Sequence, residues 1–111
     1  MMDWIDIGTL ADIPRLGART VETHMGQVAV FRTGDDEVFA LINKCPHKNG
    51  PLSEGIVMGR KVACPLHNWV IDLNSGEAQA PDEGCTTPLP LRDDGGRLLL
   101  GLTPAKKVAH G

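Results

Sequence analysis

The sequence predicts an all-β fold, a small antiparallel sandwich or barrel, and three observations carry that prediction. No stretch of the 111 residues keeps a 3.6-residue apolar period for three turns, and 13 Gly and 8 Pro are scattered along the chain, where they interrupt helices. Short runs rich in Val, Ile, Leu and Phe recur instead. Between these runs lie Gly-, Asn- and Asp-containing clusters of the kind that close tight turns.

Taken in order, residues 9–16 (TLADIPRL) suit one short turn at most, with Thr9 as its cap and Pro14 as its interruption. Residues 18–24 alternate as a half-buried strand, and residues 27–33 follow after a turn at Met25-Gly26. Residues 38–42 (VFALI) come after the turn at 34–37, so the three runs read as a meander. Residues 43–54 are long and irregular. Runs 56–58 and 61–64 flank Gly59-Arg60 as a hairpin. Runs 69–72 and 77–80 flank Asn74-Ser75-Gly76, and runs 88–91 and 97–102 flank the Asp-Asp-Gly-Gly turn at 93–96. The tail, 103–111, is polar and expected to fray.

Length predicts a single domain, 1–111, with room for one modest hydrophobic core but not two. The 41% hydrophobic and 23% charged content is ordinary for a globular chain. A net charge of −3 offers no footing for nucleic acid. The apolar runs, such as 97–102, are too short to span a bilayer, so no membrane association is expected. MMDWIDIG has no basic region ahead of an apolar stretch, and a cytoplasmic protein is expected. Three cysteines, an odd count, argue against a disulfide framework.

The chemistry concentrates in two short stretches. CPHKNGPL, residues 45–52, holds Cys45-x-His47, and CPLH, residues 64–67, holds Cys64-x2-His67, with 16 residues between the pairs. Both fall in loops at strand ends, and in both a proline directly follows the cysteine. Three readings compete. The cysteines can be small packed residues and the histidines surface ones. The four can form a structural Cys2His2 zinc site, although zinc gives no reason for each loop to supply one of each. Or they can clamp a two-iron cluster lying between the loops, with two Cys on one iron and two His on the other. That last arrangement requires one Cys and one His from each loop.

The spacing, and the wider stretches CPHKNGPLSEGIV and CPLHNWVIDLNSGEA, resemble the Rieske ferredoxin family, and within it the small subunit of NAD(P)H-dependent assimilatory nitrite reductase. The resemblance implies a Rieske-type fold, an antiparallel β-sandwich with a small cluster-binding subdomain over about residues 43–80. It implies a [2Fe–2S] cofactor, with Cys45 and Cys64 on the inner iron and His47 and His67 on the outer one. The chain would be an electron-transfer subunit without catalytic residues of its own, in keeping with the lack of a dinucleotide-binding fingerprint. The expected partner is a large siroheme- and FAD-containing subunit that reduces nitrite to ammonium. The alternative is a free ferredoxin that carries electrons from a flavoprotein reductase to an aromatic-ring dioxygenase.

Histidine ligation has an electrostatic consequence. Two ferric ions, two sulfides and two thiolates sum to a neutral oxidised site, whereas four thiolates would leave a dianion that resists a further electron. Against the respiratory members of the family, Gly50 and Leu66 stand where a bridging cysteine pair would be, Asn68-Trp69 follow His67, and the chain has no tyrosine. Fewer donors to the sulfurs stabilise the reduced form less. A redox titration of the loaded protein should therefore give a midpoint near the low end of the Rieske range, about −150 mV; a value above zero would refute this.

Other residues attract weaker expectations. Cys85 has no partner at ligand spacing and is expected to have no function. His24 and His110 read as surface residues, and Trp4 and Trp69 as core or rim packing. Residues 80–84 resemble the third loop that covers the cluster in this family, with a plain turn as the competing reading. Lys44 and Lys48 flank the first loop, either to steer an acidic partner or simply as solvated charges.

Overall fold

Three antiparallel sheets stack in layers in the computed structural model, which describes residues 3–44, 51–64, 69–79, 84 and 86–102. The first sheet has the order β1 (Asp3–Thr9), β10 (Arg97–Leu102), β9 (Leu91–Asp94). The second runs β2 (Gly17–Thr23), β3 (Gly26–Arg32), β4 (Val38–Ile42), β8 (Pro88–Leu89). The third is small: β5 (Ile56–Met58), β6 (Lys61–Ala63), β7 (Val70–Asp72). Short 3-10 turns occupy Leu10–Asp12 and Leu52–Glu54. This is the all-β, antiparallel Rieske-type architecture, and the third sheet with its loops is the small subdomain.

The middle sheet explains how so short a chain holds together. Successive residues of a strand face opposite sides, and in β3 every residue from Val28 to Phe31 is fully buried. Val28 and Val30 join Ile7, Ile13, Ala40, Leu89, Leu98, Leu100 and Leu102 in a core against the first sheet. Ala29 and Phe31 join Leu41, Leu52, Val57, Val62, Cys64, Ile71 and Leu73 in a second core against the third sheet. The expectation of one core is thus corrected. The chain builds two because β3 and β4 feed both from opposite faces of one sheet.

Three elements differ from the sequence reading. β1 was not anticipated: it buries only Ile7, its partner β10 lies at the other end of the chain, and its register breaks between Asp6 and Thr9. The run 88–91 is not one strand. Pro90 has no N–H to donate, and the chain changes sheets there, with Leu89 opposite Ala40 and Leu91 opposite Leu100. Of the run 77–80, residues 77–79 are described, and they form no named strand but an isolated bridge between Ala78 and Ile71. The β9–β10 connection is a two-residue turn of Gly95-Gly96, whose φ values of 64° and 96° suit the twist of a tight hairpin.

Exposed carboxylates tie the edges of the layers. Asp6 accepts from Arg97 Nε and Nη2, both at 3.0 Å, across the first sheet. Glu37 accepts from Arg60 at 2.8 and 2.6 Å and links the β3–β4 turn to the β5–β6 turn. Asp12 accepts from the Thr9 backbone N–H at 2.8 Å. The Arg97 hydrogen bonds hold Asp6 below the usual carboxylate range, the Thr9 N–H does so for Asp12, and Arg60 for Glu37. The folded state therefore binds fewer protons than the unfolded chain in acid. This stability is present above the unfolded carboxylate pKa of about 4 and is lost as pH falls through the depressed folded values. Urea midpoints should fall from pH 7 to pH 2, and less steeply in Asp6→Asn/Glu37→Gln; equal slopes would contradict it.

Candidate metal centre

Three loop stems meet at one end of the middle and third sheets. The first leaves β4 at Asn43 and Lys44, where the Lys44 N–H donates to the Ile42 carbonyl at 2.7 Å, and returns at Pro51 into the Leu52–Glu54 turn. Asn43 is buried between the two limbs of this stem. Its Oδ1 accepts from the Ser53 backbone N–H at 2.8 Å, and its Nδ2 donates to Ser53 Oγ at 3.0 Å and to Gln27 Oε1 at 2.7 Å. Cys45, His47 and Lys48 lie outside the described residues.

The second stem closes on itself. Cys64 directly follows β6, and its N–H donates to the Trp69 carbonyl at 2.6 Å, which brackets residues 65–68. Cys64 is fully buried in the core beneath the third sheet, and Trp69 packs against that core. His67 lies outside the described residues.

The third stem is tied to the other two. The Ala78 N–H donates to the Gly84 carbonyl at 2.9 Å, and the Gln79 N–H to the Val70 carbonyl at 2.8 Å. Thr86 Oγ1 donates to the Ile42 carbonyl at 3.0 Å, and the Ile42 N–H to the Thr87 carbonyl at 2.9 Å. Residues 80–83 and 85, including Cys85, are outside the described residues, as is the tail 103–111 with His110.

Of the four expected ligands, the structure therefore places Cys64. Its thiol lies among apolar side chains that keep water from it, with the stem of the other Cys/His loop beside it through Leu52. A buried sulfur donor in that position fits the inner iron of a mixed Cys/His cluster. Among the described residues no three His, Cys, Asp or Glu side chains converge. Asn43 and Ser53 were missed by the sequence reading. The signal was a polar residue directly after the apolar run VFALI, answered by a second one across the loop. Trp69 is rim packing, as expected. So is Trp4, which lies under the Arg92 guanidinium at 5.2 Å. His24 and Lys44 are exposed.

A layered β scaffold with Cys64 in a buried core beside the stem of a second Cys/His stretch is compatible with an iron–sulfur domain. The chain belongs to the Rieske [2Fe–2S] domain family, which it matches over residues 3–90. It is 30% identical over 101 residues to the ferredoxin component of the naphthalene 1,2-dioxygenase system of Pseudomonas aeruginosa, covering 90% of this chain and 96% of that protein. It is 33% identical over 76 residues to the ferredoxin component of the naphthalene 1,2-dioxygenase/salicylate 5-hydroxylase systems of Ralstonia sp., covering 68% of this chain and 72% of that one. Among solved structures, a protein described as an NADH-dependent nitrite reductase small subunit from Mycobacterium tuberculosis superposes with a TM-score of 0.83 over 95% of this chain and 99% of that one. Its identity is 24%, and the likeness is one of fold.

The chain is thus related both to dioxygenase ferredoxin components and to nitrite reductase small subunits. The expectation that it serves nitrite reductase, with a siroheme- and FAD-containing partner, is overturned by the dioxygenase-system relatives that align along most of its length. The physical reason is that the stretches which suggested nitrite reductase shape the cluster loops. They carry the chemistry that the family shares and not the surface that selects a partner. No helix of the described residues is long and apolar enough to cross a membrane.

Proposed function

We propose that this chain is the ferredoxin component of an aromatic-ring dioxygenase system. It takes one electron at a time from a flavoprotein reductase and passes it to the oxygenase. Cys45 and Cys64 hold one iron of the cluster, and His47 and His67 the other. The cluster supplies the one-electron redox chemistry; the chain supplies a dry inner face through buried Cys64 and Trp69 packed against the same core. The observation that carries the reading is the match in both sequence and extent to a dioxygenase ferredoxin, 96% of which is covered. The cytoplasmic setting expected from the sequence suits a reductase fed by soluble nicotinamide cofactor.

Reconstitution tests it. The loaded protein is reduced with a dioxygenase-system reductase and NADH, then mixed anaerobically with the oxidised oxygenase. Reoxidation of the ferredoxin cluster at a rate that competes with turnover supports the proposal. A reduced protein that the oxygenase leaves reduced would sink it.

A further inference from the structure

We infer that Asn43 is a positioning residue for the cluster, a strap across the neck of the first Cys/His loop that sets where Cys45 and His47 are held. The inference rests on the ligand assignment proposed above.

The strap spans residues 43 and 53, and the loop containing both proposed ligands lies between them. Asn43 uses its whole amide group. The Ser53 backbone N–H can only donate, so Asn43 Oδ1 must face it, at 2.8 Å. That turns Nδ2 toward Ser53 Oγ at 3.0 Å and Gln27 Oε1 at 2.7 Å. Gln27 Nε2 is then directed to the Glu22 carboxylate at 2.6 Å, which accepts only. The orientation of both amides follows from one fixed backbone donor at one end and one acceptor-only group at the other. The Asn43 N–H donates to the Gln27 carbonyl at 2.8 Å, so the strap is anchored on β3 as well. Asn43 is one of few buried polar residues among those described, and it stands one residue beyond β4, where the β3–β4 ladder accounts for its backbone N–H but not for its side chain. Directly beyond Ser53's neighbour Leu52, which is fully buried beside Cys64 in the same core, the two ligand loops share a floor. Loosening the neck therefore frees one pair of ligands relative to the other pair, which stays anchored at Cys64.

The chemistry of the strap ranks the variants. Asn43→Leu keeps the branching of the side chain and removes all three of its side-chain bonds, leaving the Ser53 N–H without its acceptor. Asn43→Asp keeps an acceptor for that N–H. Val30→Ala, in the core on the opposite face of the middle sheet, lowers stability without touching the neck.

The experiment loads each protein with iron and sulfide and follows loss of cluster absorbance at 25 °C under conditions where circular dichroism shows it folded. EPR of the reduced form is recorded alongside. Asn43→Leu should release its cluster about ten-fold faster or more, with broadened EPR features, while Asn43→Asp, which keeps the acceptor for the Ser53 N–H but loses both Nδ2 bonds, falls between it and wild type, and Val30→Ala keeps the wild-type rate. Asn43→Ala replaces the leucine variant if that does not fold. Asn43 variants that release the cluster no faster than Val30→Ala overturn the inference and leave the cluster reading intact. A wild-type protein that takes up no iron or sulfide overturns the cluster reading and the inference with it. Independently of any cluster, a Ser53 amide proton that exchanges as fast as an open loop overturns the strap.

Discussion

Replacing Cys64 with serine is expected to eliminate the [2Fe–2S] cluster while leaving the sheets in place. The side chain is fully exposed to core atoms and not to water, among Leu52, Val62 and Ile71 on the floor that the ligand loops share. A serine there offers a hard, weakly acidic hydroxyl where a soft thiolate is needed. In the proposed arrangement each loop supplies one ligand to each iron, so the outer-iron histidines would not substitute and the loss would leave the inner iron with a single protein ligand. The structural cost is separate and smaller, about 1–3 kcal/mol for burying a hydroxyl in place of a thiol. The measurement is paired: iron and acid-labile sulfide should fall to background, and the far-ultraviolet circular dichroism should be retained. Cys85→Ser is the control and should keep both. A Cys64→Ser protein with wild-type iron content would remove Cys64 from the ligand set, and with it the argument that the two loops clamp the cluster from either side.

Much of this architecture was readable because it is local. The meander β2–β3–β4 and the β5–β6 hairpin join neighbouring runs through short turns, so alternation and turn residues suffice to find them. The family was readable for a similar reason: two short Cys/His motifs carry its signature in their spacing. What escaped was non-local. β1 exists because Ile5 and Ile7 find β10 some ninety residues later in sequence, as the opposition of Ile5 to Leu100 shows, and nothing within Asp3–Thr9 announces that partner. Pro90 looked like an interior residue of one strand, yet it marks the point where the chain leaves β4 for β10. The double core was hidden in the same way. Val28-Ala29-Val30-Phe31 is apolar throughout, and such a run says that both faces are covered without saying by what. Partner choice was the least legible of all. Loop residues around a cluster are constrained by the cluster, so they resemble one another across subunits that serve different enzymes.

Gly55→Ala is expected to be a strongly damaging single-methyl change, and the reason lies where the two ligand loops are joined. Gly55 caps the Leu52–Glu54 turn, with its N–H donating to the Leu52 carbonyl at 2.9 Å, and leads directly into β5. Its φ of −81° is open to any residue, so backbone conformation is not the obstacle. The obstacle is contact: a Cβ there would overlap the Ala63 carbonyl oxygen and come within 2.9 Å of Val62 Cγ2. Neither can yield easily. Val62 is fully buried, and Ala63 is held in the β5–β6 ladder opposite Ile56 and in the β6–β7 ladder opposite Val70. Relief requires the end of β6 to move, and the next residue is Cys64. Overpacking of this kind costs about 3 kcal/mol, which for a domain of this size lowers the melting temperature by roughly 10–20 °C. Gly34→Ala provides the comparison, since a Cβ there meets only Leu16 Cδ2, at an ordinary 3.4 Å. Thermal melts of the two variants should separate clearly, and Gly55→Ala should also lose iron faster than Gly34→Ala at temperatures where both are folded. Equal melting temperatures would mean that β6 can shift at no cost, and the shared floor beneath the two loops would then not be rigid.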